Sequence, residues 1–216
     1  RPDTLADETR EIIRRIYGYP DIDEALDEMP DDLASNIDLA IDHFYRQDNY
    51  IEIWYEARAM TGQFRHYTAK VDLVPLGGMS SIPYKWSLAK NLEWKRSKYQ
   101  KPIKILYFGD EDLAGHLIKS DVEEDVRKWS EADFEIVWAG LTKEQVEKYG
   151  VPHSVEKKGY QWEALEDESA SEIIRESLDR FIDRAIIKEA ETEAHEQGEF
   201  WADPVRKAIN EIIKEK

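Results

Sequence analysis

Acidic residues that follow two apolar segments are the side chains in this sequence best suited to chemistry. The acids 110–112 (DED) follow the apolar run 103–108 (IKILYF), and Glu56 closes the earlier run IEIWYE. In an extended chain alternate side chains point the same way, so Asp110 and Asp112 share one side. Two carboxylates a few ångströms apart repel each other, and a hard cation such as Mg²⁺ or Mn²⁺ relieves that repulsion. The alternatives are an acidic turn that caps the next helix and, for Glu56, a first-turn acid favoured by a helix dipole.

Strand and helix patterns alternate along the middle of the chain. Apolar runs of strand length lie at 51–56, 71–76, 103–108 and 134–139, and helical patterns separate them. This alternation predicts βαβ units and a central, mainly parallel four-stranded sheet flanked by helices, which is an α/β fold. The C-terminal ends of parallel strands share one rim, where open α/β sheets bind their ligands. The acids at the ends of these runs are therefore expected to converge.

Helical patterns flank the α/β region on both sides. We expect residues 1–48 to form an N-terminal helical extension or connector, 49–165 the α/β domain, and 166–216 C-terminal helices that pack on or beside it. The polar stretch 188–197 is expected to be a solvated helix or a hinge before a last amphipathic helix.

Composition excludes several classes of protein. None of the 216 residues is cysteine, which removes disulfide scaffolds, thiolate zinc sites and cysteine nucleophiles. No apolar run approaches the roughly 20 residues of a membrane span, so a cytoplasmic location without membrane contact is expected. The formal net charge of −17 argues against binding nucleic acid through a general attraction to phosphate. A bound divalent cation or a basic partner domain would reverse that charge locally.

Five motifs occur in order between residues 49 and 183. They are 52–60 (EIWYEARAM), 78–81 (GMSS), 109–115 (GDEDLAG), 139–152 (AGLTKEQVEKYGVP) and 162–165 (WEAL). Together they resemble the Toprim domain of topoisomerases, some primases and small nucleases, and more closely its topoisomerase VI A-like branch with phage and plasmid relatives. Two departures stand out: Ala57 replaces a basic residue, and Leu113-Ala114 replaces a Pro-Ser pair.

The resemblance implies a Toprim-like Rossmannoid domain that uses Mg²⁺ (or Mn²⁺) to cleave and rejoin phosphodiesters in DNA, as a topoisomerase or a nuclease does. It implies that Glu56, Asp110 and Asp112 are both the catalytic residues and the metal ligands. We expect the chain to be part of a longer protein that engages DNA through an upstream winged-helix segment or a partner protein, with a homodimer among the expected assemblies.

Four basic positions have weaker cases as phosphate contacts. Arg58 lies beside the strand-one acid, and His116 follows Asp112 by four residues, a spacing that brings two side chains together on a helix. Lys157 and Lys158 occupy a polar loop before the C-terminal segment. The alternatives are a solvent-facing first-turn histidine and a solvated pair of lysines.

The predicted helix around 86–99 carries the most basic stretch of the chain, with Trp86 and Trp94 eight residues apart among lysines and an arginine. It either follows a nucleic-acid backbone or balances an acidic neighbouring domain.

Two other functions remain open on the sequence. A non-catalytic Toprim-fold module of a phage or plasmid, binding a partner protein through its acidic surface, is favoured by the altered motifs and the net charge. A glycosyltransferase whose D-x-D segment holds a metal and a nucleotide-sugar diphosphate is the third hypothesis. The segment 139–152 disfavours it.

Overall fold

The computed structural model describes residues 22–35, 41–68 and 70–214. It divides the chain into two compact units: residues 44–183 form one, and the described residues 22–35, 41–43 and 184–214 belong to the other. Most of the predicted N-terminal extension, residues 1–21 and 36–40, lies outside the described part of the chain.

The elements of the larger unit alternate between strand and helix. In chain order, after helix α1 (Ile22–Ser35) of the smaller unit, they are β1 (Tyr50–Tyr55), α2 (Thr61–Tyr67), β2 (Asp72–Pro75), α3 (Ile82–Tyr99), β3 (Ile103–Phe108), α4 (Leu113–Trp129), β4 (Phe134–Gly140), α5 (Lys143–Tyr149), β5 (His153–Ser154), β6 (Gly159–Tyr160) and α6 (Asp167–Asp179).

A four-stranded parallel sheet in the order β2-β1-β3-β4 forms the centre of this unit, which confirms the predicted α/β class. β1 and β3 are the middle strands, and side chains on both of their faces are buried. Continuous apolar runs are typical of such strands, because helices cover both faces of a parallel sheet. β5 and β6 form a separate antiparallel pair.

Local sequence signals set several helix ends. The Ser81 hydroxyl accepts a hydrogen bond from the Tyr84 amide at the start of α3. Thr142 and Gln145 form a reciprocal capping box at the start of α5, and Gly150 ends that helix in the left-handed conformation. The turns after the strands are therefore fixed locally, which holds the sheet rim in place.

The smaller unit pairs α1 with α7 (Arg184–Lys214). α7 is one continuous helix of 31 residues that contains Pro204. The polar stretch 188–197 is helical and runs without a break into the predicted last helix. No helix in the described ranges is long and apolar enough to cross a membrane.

Candidate functional site

The carboxylate of Glu56 and the loop after β3 meet at the C-terminal rim of the sheet. β1 and β3 are parallel neighbours, with Tyr55 opposite Phe108, and the Glu56 amide donates to the Phe108 carbonyl at 2.9 Å. The Asp110 amide in turn donates to Oε2 of Glu56 at 3.1 Å. Two acids 54 positions apart in sequence are thereby in direct contact through the main chain of one and the side chain of the other.

The loop that carries Asp110 and Asp112 is held by the segment 159–162. Glu111 and Tyr160 exchange two backbone hydrogen bonds of 2.9 and 3.1 Å. The Trp162 amide donates to Oδ1 of Asp110 at 2.8 Å, and Nε2 of Gln161 donates to Oδ2 of Asp112 at 3.1 Å. Both aspartate side chains therefore face the segment 159–162.

Asp112 also begins helix α4. Its Oδ1 accepts the Gly115 amide at 2.8 Å, the bond of an N-cap residue. Since Gln161 binds its other oxygen, both carboxylate oxygens of Asp112 accept hydrogen bonds from the protein itself. The capping role considered for this acidic turn is present in the structure.

Packing around the rim leaves no room for a side chain at Gly115. A Cβ there would lie 2.3 Å from the Asp110 carbonyl oxygen and 3.1 Å from Oε2 of Glu56. At Gly109 a Cβ would lie 3.0 Å from the same carboxylate oxygen. Glycines at these two positions allow the chain to pass close to the Glu56 carboxylate.

Burial and mutual repulsion perturb two of the acids. Burial raises the pKa of Glu56 above its ordinary value, and the charges of Asp110 and Asp112 add to the rise against the hydrogen bond from the Asp110 amide. Burial likewise raises the pKa of Asp110, opposed by the Trp162 amide and reinforced by the charge of Asp112. The surroundings of these acids therefore do not neutralise their negative charge. Such a site favours the binding of a proton or a cation.

The chemistry of these donors suits a hard divalent cation, although no group of three or more acids or histidines within the described ranges is arranged to hold a metal. Each of Glu56 and Asp110 keeps one oxygen, Oε1 and Oδ2 respectively, that accepts no hydrogen bond from the described residues. Mg²⁺ is usually bound by one or two carboxylates and keeps several waters. Glu56 and Asp110 fit that pattern, whereas Asp112 is occupied.

The basic candidates lie around the rim in different settings. Arg58 is exposed and lies beside Gly77, in the loop after β2. A Cβ added to Gly77 would be 3.1 Å from Nε of Arg58. The amide of Gly78, the next residue, donates to the Glu56 carbonyl at 3.0 Å. Lys157 is exposed, and its charge lowers the pKa of both Glu56 and Asp110, so it contributes positive potential at the site.

His116 is held in a defined orientation beside the rim. Its ring stacks on Trp138 with the centroids 4.1 Å apart, and its Nε2 lies 3.2 Å from Oε2 of Glu111. The side chain of Glu111 thus contacts His116, whereas those of its neighbours Asp110 and Asp112 face the segment 159–162. This places an oriented imidazole next to the acidic loop.

Sequence reasoning missed Gln161, the Trp162 amide and the Glu111 carboxylate. The motif 162–165 includes Trp162 but gives no sign that its amide binds Asp110, and no local pattern marks Gln161. Both contacts depend on the pairing of Tyr160 with Glu111, which lies far away in sequence. The four-residue spacing predicted a contact between His116 and Asp112, but the ring of His116 lies against the Glu111 carboxylate, which precedes helix α4 and falls outside that spacing rule.

Comparisons with protein-family models, with curated proteins and with solved structures give no match to this chain. The case for its function therefore rests on its own residues.

Proposed function

We propose that this chain is a Mg²⁺-dependent, Toprim-like domain that acts in the cytoplasm in the cleavage and rejoining of DNA phosphodiesters. The motifs of the sequence resemble that family. The observation that carries the proposal is the meeting of Glu56 with the Asp110 loop at the C-terminal rim of two adjacent parallel strands. The raised pKa values of both acids support a site that takes up positive charge.

Glu56 and Asp110 would hold the cation through Oε1 and Oδ2, and Asp112 would keep the loop and helix α4 in place. A bound Mg²⁺ would orient a phosphate and stabilise charge on the leaving oxygen. Because the cation would occupy Oε1, binding it would displace any proton that the raised pKa of Glu56 keeps there in its absence. Lys157 at the same rim would attract the phosphate backbone.

A non-catalytic module that binds a partner protein is the second candidate. Two observations favour it: Asp112 has both oxygens engaged by the protein, and the chain carries a net charge of −17. Such a module would keep the loop geometry for stability alone.

Supercoiled plasmid separates the two functions. With Mg²⁺ present, we expect the wild type to nick or relax the plasmid, and Glu56→Gln and Asp110→Asn to lose about 100-fold or more of that rate. Glu163→Gln is the matched control, because Glu163 is exposed and acts on Asp110 only through its charge. A wild-type protein that leaves the plasmid intact with Mg²⁺ and with Mn²⁺, or an Asp110→Asn variant as active as the wild type, would contradict the nuclease proposal.

A further inference from the structure

Helix α3 presents two large aromatic side chains to solvent. Trp86 is 51% exposed and Trp94 is 56% exposed, and Lys90 lies halfway between them on the same exposed face. About half of the surface of each indole is therefore accessible to a partner in solution. We call this set Trp86, Lys90 and Trp94 the α3 surface.

Cations accompany the rings of the α3 surface. The Lys90 ammonium lies 5.8 Å from the Trp86 ring centroid, and the Lys98 ammonium lies 5.3 Å from that of Trp94. Lys90 also binds both carboxylate oxygens of Glu93 at 2.9 Å. That pair is solvent-accessible, and exposed pairs are weak enough for a phosphate to replace the carboxylate.

The charge of α3 is opposite to that of the whole chain. The helix carries five Lys and Arg residues against one acid, Glu93, in a protein of net charge −17. Two of these cations point into the protein: Lys85 is buried against Asp121 and Asp125, and Lys95 is buried in the core. The others, Lys90, Arg96 and Lys98, are at least partly exposed, so a polyanion would find its complement on this helix.

The end of α4 extends the α3 surface. Lys90 donates to the Trp129 carbonyl at 3.1 Å, which brings the two helices together there. The ammonium of the exposed Lys128 lies 6.0 Å from the Trp129 ring centroid. The end of α4, with Trp129 and Lys128, therefore lies next to Lys90 of the α3 surface.

The spacing of the two indoles matches a stacked single strand. Eight helical residues separate Trp86 from Trp94, about 12 Å along the axis, which corresponds to three or four bases at about 3.4 Å each. The first residues of α3 follow the loop in which the Gly78 amide binds the Glu56 carbonyl at 3.0 Å. A nucleic-acid strand lying along α3 would thus lead towards Glu56 and Asp110 at the rim of the sheet.

We propose that the α3 surface binds single-stranded nucleic acid, with bases stacked on Trp86 and Trp94 and phosphates held by Lys90 and its basic neighbours. The inference rests on the proposed function, since it supplies the strand to the same rim. Exposed indole faces need unstacked bases, which a duplex does not offer, and stacking of this kind accepts any sequence. The basic character of the helix favours a polyanion over a protein partner.

Fluorescence anisotropy of a labelled oligo(dT) tests the inference in metal-free buffer of low salt. We expect the wild type to bind the single strand and to bind a duplex at least about tenfold more weakly. Trp86→Ala and Trp94→Ala are each expected to weaken binding about 5- to 100-fold, from the alanine-substitution cost of base stacking. Trp201→Ala is the matched control, because Trp201 is 49% exposed on α7 of the other unit. Lys90→Gln should reduce the slope of log K against log salt by about 0.7.

Three outcomes overturn the inference: no oligo(dT) binding by the wild type, equal losses in Trp201→Ala and Trp86→Ala, or unchanged binding in the Trp86→Ala/Trp94→Ala double variant. The second would indicate non-specific adsorption, and the others would leave the surface to a protein partner. Plasmid nicking distinguishes this inference from the proposed function. Oligonucleotide binding without plasmid nicking would contradict the proposed cleavage alone. A Trp86→Ala/Trp94→Ala variant that still nicks the plasmid and binds oligo(dT) as the wild type does would contradict the inference alone.

Discussion

A buried charge network on the sheet makes a quantitative prediction. Glu52, at the centre of the sheet, is completely buried, with Oε1 3.4 Å from Nζ of Lys95 and Oε2 accepting the Trp54 indole NH at 2.8 Å. Lys95 also binds Asp72 and the Tyr50 hydroxyl. Burial raises the pKa of Glu52, and the charge of Lys95 and the Trp54 hydrogen bond oppose that rise.

Replacing Lys95 with methionine keeps much of the side-chain volume and removes the cation. Breaking a buried pair from one side costs about 3–5 kcal/mol, because the remaining charge loses its compensation. For a chain of this size, that loss corresponds to a fall in Tm of roughly 6–20 °C. The double variant Glu52→Gln/Lys95→Met removes both charges and should recover part of the loss.

Urea unfolding at pH 7, followed by circular dichroism, measures this loss of free energy. Lys104→Met is the control: Lys104 pairs with Glu135 at the surface, where the side chains are 23% and 58% exposed, and its removal should cost no more than about 1 kcal/mol. The folded pKa of Glu52 lies above its unfolded value, so its ionisation costs stability at high pH. This cost begins to fall as the pH drops through the folded pKa and is gone below the unfolded pKa. The deficit of Lys95→Met should therefore shrink as the pH is lowered from 7. A Lys95→Met variant no less stable than Lys104→Met at pH 7 would refute the reasoning.

Three further predictions concern the rim and its supports. Gly115→Ala should lose about 1–3 kcal/mol in urea melts because its Cβ would meet the Asp110 carbonyl, whereas Gly62→Ala, in α2 with no atom within 4 Å of its Cβ, should lose nothing. Thr142→Ala should lose about 1 kcal/mol with the capping box, and an unchanged unfolding midpoint would contradict that role. Because the pKa values of Glu56 and Asp110 are raised, protons compete with the cation at pH values above those at which carboxyl groups ordinarily titrate. The stabilisation of the fold by Mg²⁺ should therefore weaken as the pH falls from neutral. A stabilisation that stays constant or grows as the pH falls would contradict this.

The central strands could be predicted because their signal is local. The run IKILYF ends at Gly109, and β3 has the predicted bounds, Ile103–Phe108, while β1 lies one residue before its prediction. Parallel pairing of these strands follows from the alternation of strands with helices. That is why the sequence alone places Glu56 and the loop after β3 at one rim.

Contacts that depend on tertiary packing could not be predicted in this way. The basic stretch of α3 gave no sign that Lys85 and Lys95 are buried and ion-paired, because their partners come from α4 and from β1 and β2. The polar stretch before Pro204 contains two small residues that are buried in α7, Ala190 and Gly198. A search for large apolar residues at helical spacing does not detect buried small residues of this kind.

Thermal unfolding with added Mg²⁺ tests most directly whether the rim binds a cation. At about 10 mM Mg²⁺ and a Kd of about 1 mM, linkage gives about 1.4 kcal/mol, or a rise in Tm of roughly 3–6 °C for the wild type. Asp110→Asn keeps an oxygen for the Trp162 amide but loses the charge, so we predict that its Tm does not respond to Mg²⁺. An equal rise in Asp110→Asn, or no rise in the wild type, would contradict a cation site formed by Glu56 and Asp110.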